Sequence, residues 1–77
     1  MTRPIYTIAQ DVIADWKNVN FAAAPYLEAM GTIRSIDDNF YQDDARSVVL
    51  YFLSNARSWR GDKAKSIKAE LKAILAA

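Results

Sequence analysis

The 77-residue chain has no cysteine and no histidine, only two glycines and two prolines, and almost no excess of charge, at +1. Each scarcity excludes something. Without cysteine there is no disulfide and no thiolate–metal staple, so packing alone must hold one domain, residues 1–77, near the lower size limit for a single core. Nothing requires an oxidising compartment, which points to the cytoplasm. With histidine and cysteine both missing, the commonest general base and the strongest nucleophile are absent, and no serine sits in a recognisable motif with a lysine or carboxylate. The sequence reads as that of a non-enzyme and implies no cofactor. No apolar run nears the ~20 residues of a membrane span, so no membrane partner is expected. The N-terminus, Met1-Thr2-Arg3-Pro4, leads into an amphipathic pattern without an apolar signal core.

What the chain does have is apolar periodicity. The densest apolar run is Ser47-Val48-Val49-Leu50-Tyr51-Phe52-Leu53. Its inner residues, β-branched and aromatic, would also suit a buried strand. The helical period decides otherwise, because Ala45, Val48, Val49, Phe52, Leu53, Ala56 and Trp59 fall on one face at ~3.6 residues per turn. This predicts a central helix from about Asp43 to Trp59. Upstream, Ile5, Ile8, Ala9, Val12, Ile13 and Trp16 share a face and predict a first helix that ends near Asn18. Thr7 and Gln10 fit a capping box, but Thr2 ahead of Pro4 gives the earlier start that the apolar phase of Ile5 favours. Ala23, Tyr26, Leu27, Met30 and Ile33 predict a second over about Ala22 to Arg34, in which Gly31 marks either a close crossing or an early end. Ser35 to Gln42 reads as a connection tethered by Ile36, Phe40 and Tyr41. Asp43 or Asp44 then supplies the cap of the central helix. Trp59-Arg60-Gly61-Asp62 reads as a stop and restart, with Gly61 at C′ and Asp62 as the next N-cap. The last helix runs to about Ala76, with Ala64, Ile67, Leu71, Ile74 and Leu75 inward. The expected fold is all-α, a compact bundle of four helices around a central apolar helix.

Charge is unevenly placed. Residues 1–56 carry four cationic and seven acidic side chains, net −3, whereas residues 57–77 carry six and two, net +4. Macrodipole and solubility effects account for much of this. Asp37-Asp38-Asn39 with Asp43-Asp44 invites a Ca²⁺ loop, but Gln42 stands where that loop needs glycine and no glutamate closes it, so no metal is expected. Arg60-Gly61-Asp62 spells an adhesion tripeptide whose three residues are already explained as turn and cap. Two helices joined by a glycine-containing turn, the second bearing Lys63, Lys65, Lys68 and Lys72, leave nucleic-acid binding as an alternative. Against it, the second helix lacks the asparagine, glutamine and arginine side chains that usually read base edges.

The flank of the central helix carries the candidate site. At 100° per residue, Arg46, Leu50 and Arg57 point within about 40° of one another, Arg60 follows, and Lys63 opens the next helix. Guanidinium groups beside an aliphatic side chain suit an acidic, partly apolar protein surface. On the back of the same helix, Ser47, Ser54 and Ser58 form a small-residue stripe edged by Leu50 and Tyr51. Either another helix of the domain packs there or a second copy does, in a homodimer.

Across Asp15-Trp16, Pro25-Tyr26-Leu27-Glu28-Ala29-Met30, Ser35-Ile36-Asp37-Asp38-Asn39, Val49-Leu50-Tyr51-Phe52-Leu53-Ser54-Asn55-Ala56 and Trp59-Arg60-Gly61 through Ile67-Lys68-Ala69-Glu70-Leu71-Lys72, the chain resembles small uncharacterised proteins encoded by phages and prophages of Gram-positive bacteria. That resemblance brings no catalytic or binding residues. It implies a compact accessory protein in a bacterial cell, whose expected partner is a host or phage protein.

Overall fold

A computed structural model describes residues 3–40 and 43–76. The element order is α1 (Ile5–Asp15), α2 (Ala24–Met30), β1 (Asn39–Phe40), β2 (Asp43–Asp44), α3 (Ala45–Ser54) and α4 (Asp62–Ala76). The strands are two residues each, an antiparallel clip with Asn39 opposite Asp44 and Phe40 opposite Asp43. The class is all-α. No strand forms at residues 48–53, where the run lies within α3.

α1 begins at Ile5, with Pro4 at the N-cap position, as the apolar phase of Ile5 requires. No side chain caps it. Its first free N–H groups, those of Ile5 and Tyr6, instead donate to the carbonyls of Arg34 and Ile33 at 3.0 and 2.8 Å. The helix stops at Asp15, earlier than expected, because Trp16 turns to extended geometry and its ring enters the core. The expectation for Ile13 was wrong: the side chain is 56% exposed. Ile5, Ile8, Ala9 and Val12 occupy the arc covered by neighbouring helices, and Ile13 falls just past its edge.

α2 is about half the expected length. The turn before it is fixed by the Asn20 side chain, which accepts from the Ala23 N–H at 2.8 Å, and the helix ends at Met30 with Gly31 at the C-cap, the early-end reading of that glycine. Ile33 is buried although it lies beyond the helix. Ile36 packs against the core, while Tyr41 lies outside the described residues.

α3 is capped by Asp44, whose carboxylate accepts from the Ser47 N–H at 2.8 Å. That bond holds the carboxyl below its ordinary pKa. The helix ends at Ser54, short of the expected Trp59. Asn55 leaves helical geometry at φ −107° and ψ 8°, its N–H is shared between the Tyr51 and Phe52 carbonyls, and the Ala56 N–H donates only three residues back to Leu53. Ser54 Oγ and Asn55 Nδ2 add bonds to the Leu50 and Tyr51 carbonyls at 3.0 and 2.8 Å. Asn55, Ala56, Arg57, Ser58, Trp59, Arg60 and Gly61 form a loop, within which Ala56 and Trp59 are still buried. Gly61 has φ +113°, a backbone that favours glycine. It precedes α4 directly and its carbonyl accepts from Lys65 N, so Asp62 is the first helical residue and not the N-cap.

One contiguous apolar cluster unites the helices. Phe52, Ile5, Ile8, Met30, Ile33, Leu71, Val12 and Val49 are its largest fully buried members, and Leu53 and Leu75 pack at its margin. The shortest principal dimension is 18 Å, about two helix layers. Each helix therefore keeps a face toward solvent.

Candidate protein-binding surface

α3 and α4 meet at the start of one and the end of the other. Arg46, in the first turn of α3, donates from Nη1 to the Leu75 carbonyl in the last turn of α4 at 2.8 Å, and its Nη2 lies 3.8 Å from Asp37. One turn along the same flank of α3, Leu50 is 53% exposed, and its neighbour Tyr51 is 50% exposed. The Tyr51 ring leans on Tyr26 of α2, with centroids 5.4 Å apart. The small-residue stripe is thus partly covered by its own domain. Tyr26 reaches Tyr51, and Asn20 Nδ2 reaches Ser58 at 3.4 Å, while Ser54 stays exposed.

The other members of the predicted site lie at the far end of α4, which spans ~22 Å at 1.5 Å per residue. Because α3 stops at Ser54, the helical directions assigned to Arg57 and Arg60 do not apply. Both are exposed loop residues. Arg60 lines a shallow hollow at the start of α4 with Trp59, Ala64, Lys65 and Lys68. Lys63 is exposed on the opposite flank of α4, on the side facing α1, where its charge helps lower the Asp11 pKa. The structure therefore brings Arg46 and Leu50 together and places Arg60 and Lys63 on different sides of one helix.

Three of the lysines that carry the nucleic-acid alternative complete the cationic side. Lys65, Lys68 and Lys72 stand at i, i+3 and i+7, a row within about 60° on the flank of α4. Lys68 Nζ donates to the Trp59 carbonyl at 2.6 Å and lies 5.8 Å from the Trp59 ring centroid. Burial, then the Lys72 and Arg60 charges, push the Lys68 pKa down. Among the described residues, none of Arg60, Lys65, Lys68 and Lys72 is ion-paired. The spacing of this row was legible in the sequence; that it shares a side with Arg46 required the contact to Leu75.

Elsewhere, Phe21 stands 91% exposed on the turn that Asn20 fixes through Ala23 and through the Asn55 carbonyl at 2.9 Å. Among the described residues no group of three or more metal-ligating side chains is gathered, and no helix is long and apolar enough to cross a membrane. Compared with family models, with curated proteins and with solved structures, the chain matches none.

Proposed function

We propose that this chain is a small phage or prophage accessory protein that works in the bacterial cytoplasm as a helical protein-binding module, and not as an enzyme. We read its architecture as a four-helix bundle built on α3. The observation that carries the function is the solvent-facing side of α3, where Leu50 and Tyr51 stand half exposed on a helix whose other face is fully packed. Arg46 stands beside that side, one turn before Leu50. A guanidinium can form paired hydrogen bonds with a carboxylate while its stem covers apolar area, which suits the rim of a protein interface. The absence of histidine and cysteine from the sequence supports the same reading. The binding residues are Arg46, Leu50, Arg57, Arg60 and Lys63, and the partner is a host or phage protein.

The test is the double substitution Arg57→Glu with Arg60→Glu, with the fold checked by circular dichroism. A tagged wild-type chain should recover a partner from host lysate that the folded variant does not. Recovery of the same partner by the variant would refute this surface.

The lysine row favours a second reading, nucleic-acid binding through α4. Salt distinguishes the two, since phosphate contacts make affinity fall steeply with salt concentration and a buried apolar contact does not. Homodimerisation through Ser47, Leu50, Tyr51, Ser54 and Ser58 would appear instead as a concentration-dependent mass in sedimentation.

A further inference from the structure

The cationic side of α4 and the apolar side of α3 form one band. It runs from Arg60 along Lys65, Lys68 and Lys72 to Leu75, crosses to α3 through the Arg46 hydrogen bond, and continues to Leu50. Leu53 and Leu75, half-buried beside it, add apolar floor. Four cations of the band lack ion-pair partners among the described residues. The acids nearby are committed to local roles, Asp62 in the first turn of α4 and Asp37 beside Arg46.

Resting on the protein-binding reading above, we propose that this band docks an acidic segment of a partner protein. The segment's carboxylates meet Arg60, Lys65, Lys68 and Lys72, and an apolar side chain of the segment covers Leu50. Charge complementarity names the sign of the partner, and the exposed leucine names its second property. Together they disfavour a polynucleotide. The row from Lys65 to Lys72 is ~10 Å long at 1.5 Å per residue, a reach of about three phosphates along one strand. Lysines are point charges without the fork that reads bases. Outside the band the acids Asp15, Glu28, Asp38 and Asp44 are interspersed with the cations Lys17, Arg34, Arg57 and Lys63, so the surface offers a long polyanion no continuous positive track. A short acidic segment feels the band and little else.

The probe is a fluorescein-labelled peptide with glutamates on one helical face and leucines on the other, titrated by anisotropy at physiological salt. Binding to the wild-type chain should weaken about tenfold or more with Lys65→Glu and Lys72→Glu together. It should weaken several-fold with Leu50→Ser, and when the peptide's leucines are changed to serine. A charge-matched control, Lys17→Glu with Arg34→Glu, should bind as the wild type does. All four substituted lysine and arginine positions are exposed, and so is Leu50, so these variants keep the core. Equal weakening by the control, or indifference to the leucines, would overturn the inference by reducing it to bulk charge. An oligonucleotide that binds more tightly than the peptide, with a steep salt dependence, would overturn it in favour of phosphate. If Lys63→Glu weakens the peptide and the Lys65/Lys72 pair does not, the docking flank is the one facing α1. This inference then falls while the protein-binding reading stands. That broader surface is refuted separately, by partner recovery that survives Arg57→Glu with Arg60→Glu.

Discussion

α1 and α4 run side by side in opposite directions, and their two ends are fastened by different chemistry. At the start of α1, Arg3 donates from Nε and Nη2 to Glu70 of α4 at 2.9 and 2.7 Å, and from Nη1 to Asp11 of its own helix. These side chains remain 31–39% exposed. At the other end, Trp16 and Trp59 stack with centroids 5.8 Å apart and planes 11° from parallel, and the Phe52 and Trp16 rings make a T-shaped pair with centroids 6.2 Å apart. The Trp59 indole N–H donates to Asp15 at 2.8 Å. One end is a charged clasp in water and the other an aromatic wedge under cover. Exposed ion pairs contribute roughly 0–1 kcal/mol because water already solvates the charges and salt screens them. Burying an aromatic side chain removes a large apolar area from water, and a stacked pair adds about 0.5–1.5 kcal/mol. The longer sequence separation of the Arg3 clasp does not make it the stronger one.

The most direct way to break this comparison is at the wedge. Phe52→Ala or Trp59→Ala should cost about 3–5 kcal/mol in urea unfolding, a large part of the stability available to so small a domain. A loss below about 1 kcal/mol would mean that the stack is not packed as described. Gly61→Ala comes next. Nothing lies within 4 Å of an added Cβ, so the cost is purely conformational at φ +113°, about 1–3 kcal/mol. Asp15→Ala, which removes the acceptor for the Trp59 indole, should cost about 1 kcal/mol and alter the tryptophan fluorescence.

The smallest effect is expected at the clasp. Arg3→Ala should lower stability by no more than about 1 kcal/mol, and the difference should shrink as salt is added. Its pH dependence has a definite sign. Hydrogen bonding to Arg3 lowers both the Asp11 and Glu70 pKa values. A carboxylate depressed in the folded state stabilises it above the unfolded value of about 4. That contribution is lost as pH falls through the lower folded value. The melting temperatures of wild type and Arg3→Ala should therefore converge below about pH 4. A gap that widens in acid would refute the clasp.

The sequence by itself determined the helical class and most of the core. Val12, Trp16, Leu27, Met30, Val49, Phe52, Ala56, Trp59, Ile67 and Leu71 are legible because apolar side chains recur at the period of one helical face, and all are buried. That Asp43 or Asp44 caps α3 was legible for an equally local reason, a carboxylate next to free N–H groups, and the structure selects Asp44. Tertiary structure decided where the periods stop. Ala56 and Trp59 keep the helical phase of α3 yet are buried from a loop, where Trp59 is held by its stack on Trp16 and its indole bond to Asp15. Ile13 keeps the phase of α1 yet is exposed, because no element covers that edge. The start of α1 is satisfied by carbonyls from Ile33 and Arg34, a contact between distant parts of the chain that no local pattern contains. The same holds for the candidate surface. Helical angles group Arg46, Leu50, Arg57 and Arg60 only while the helix continues. Where the backbone leaves that helix, the side on which a charge stands is set by which elements pack together.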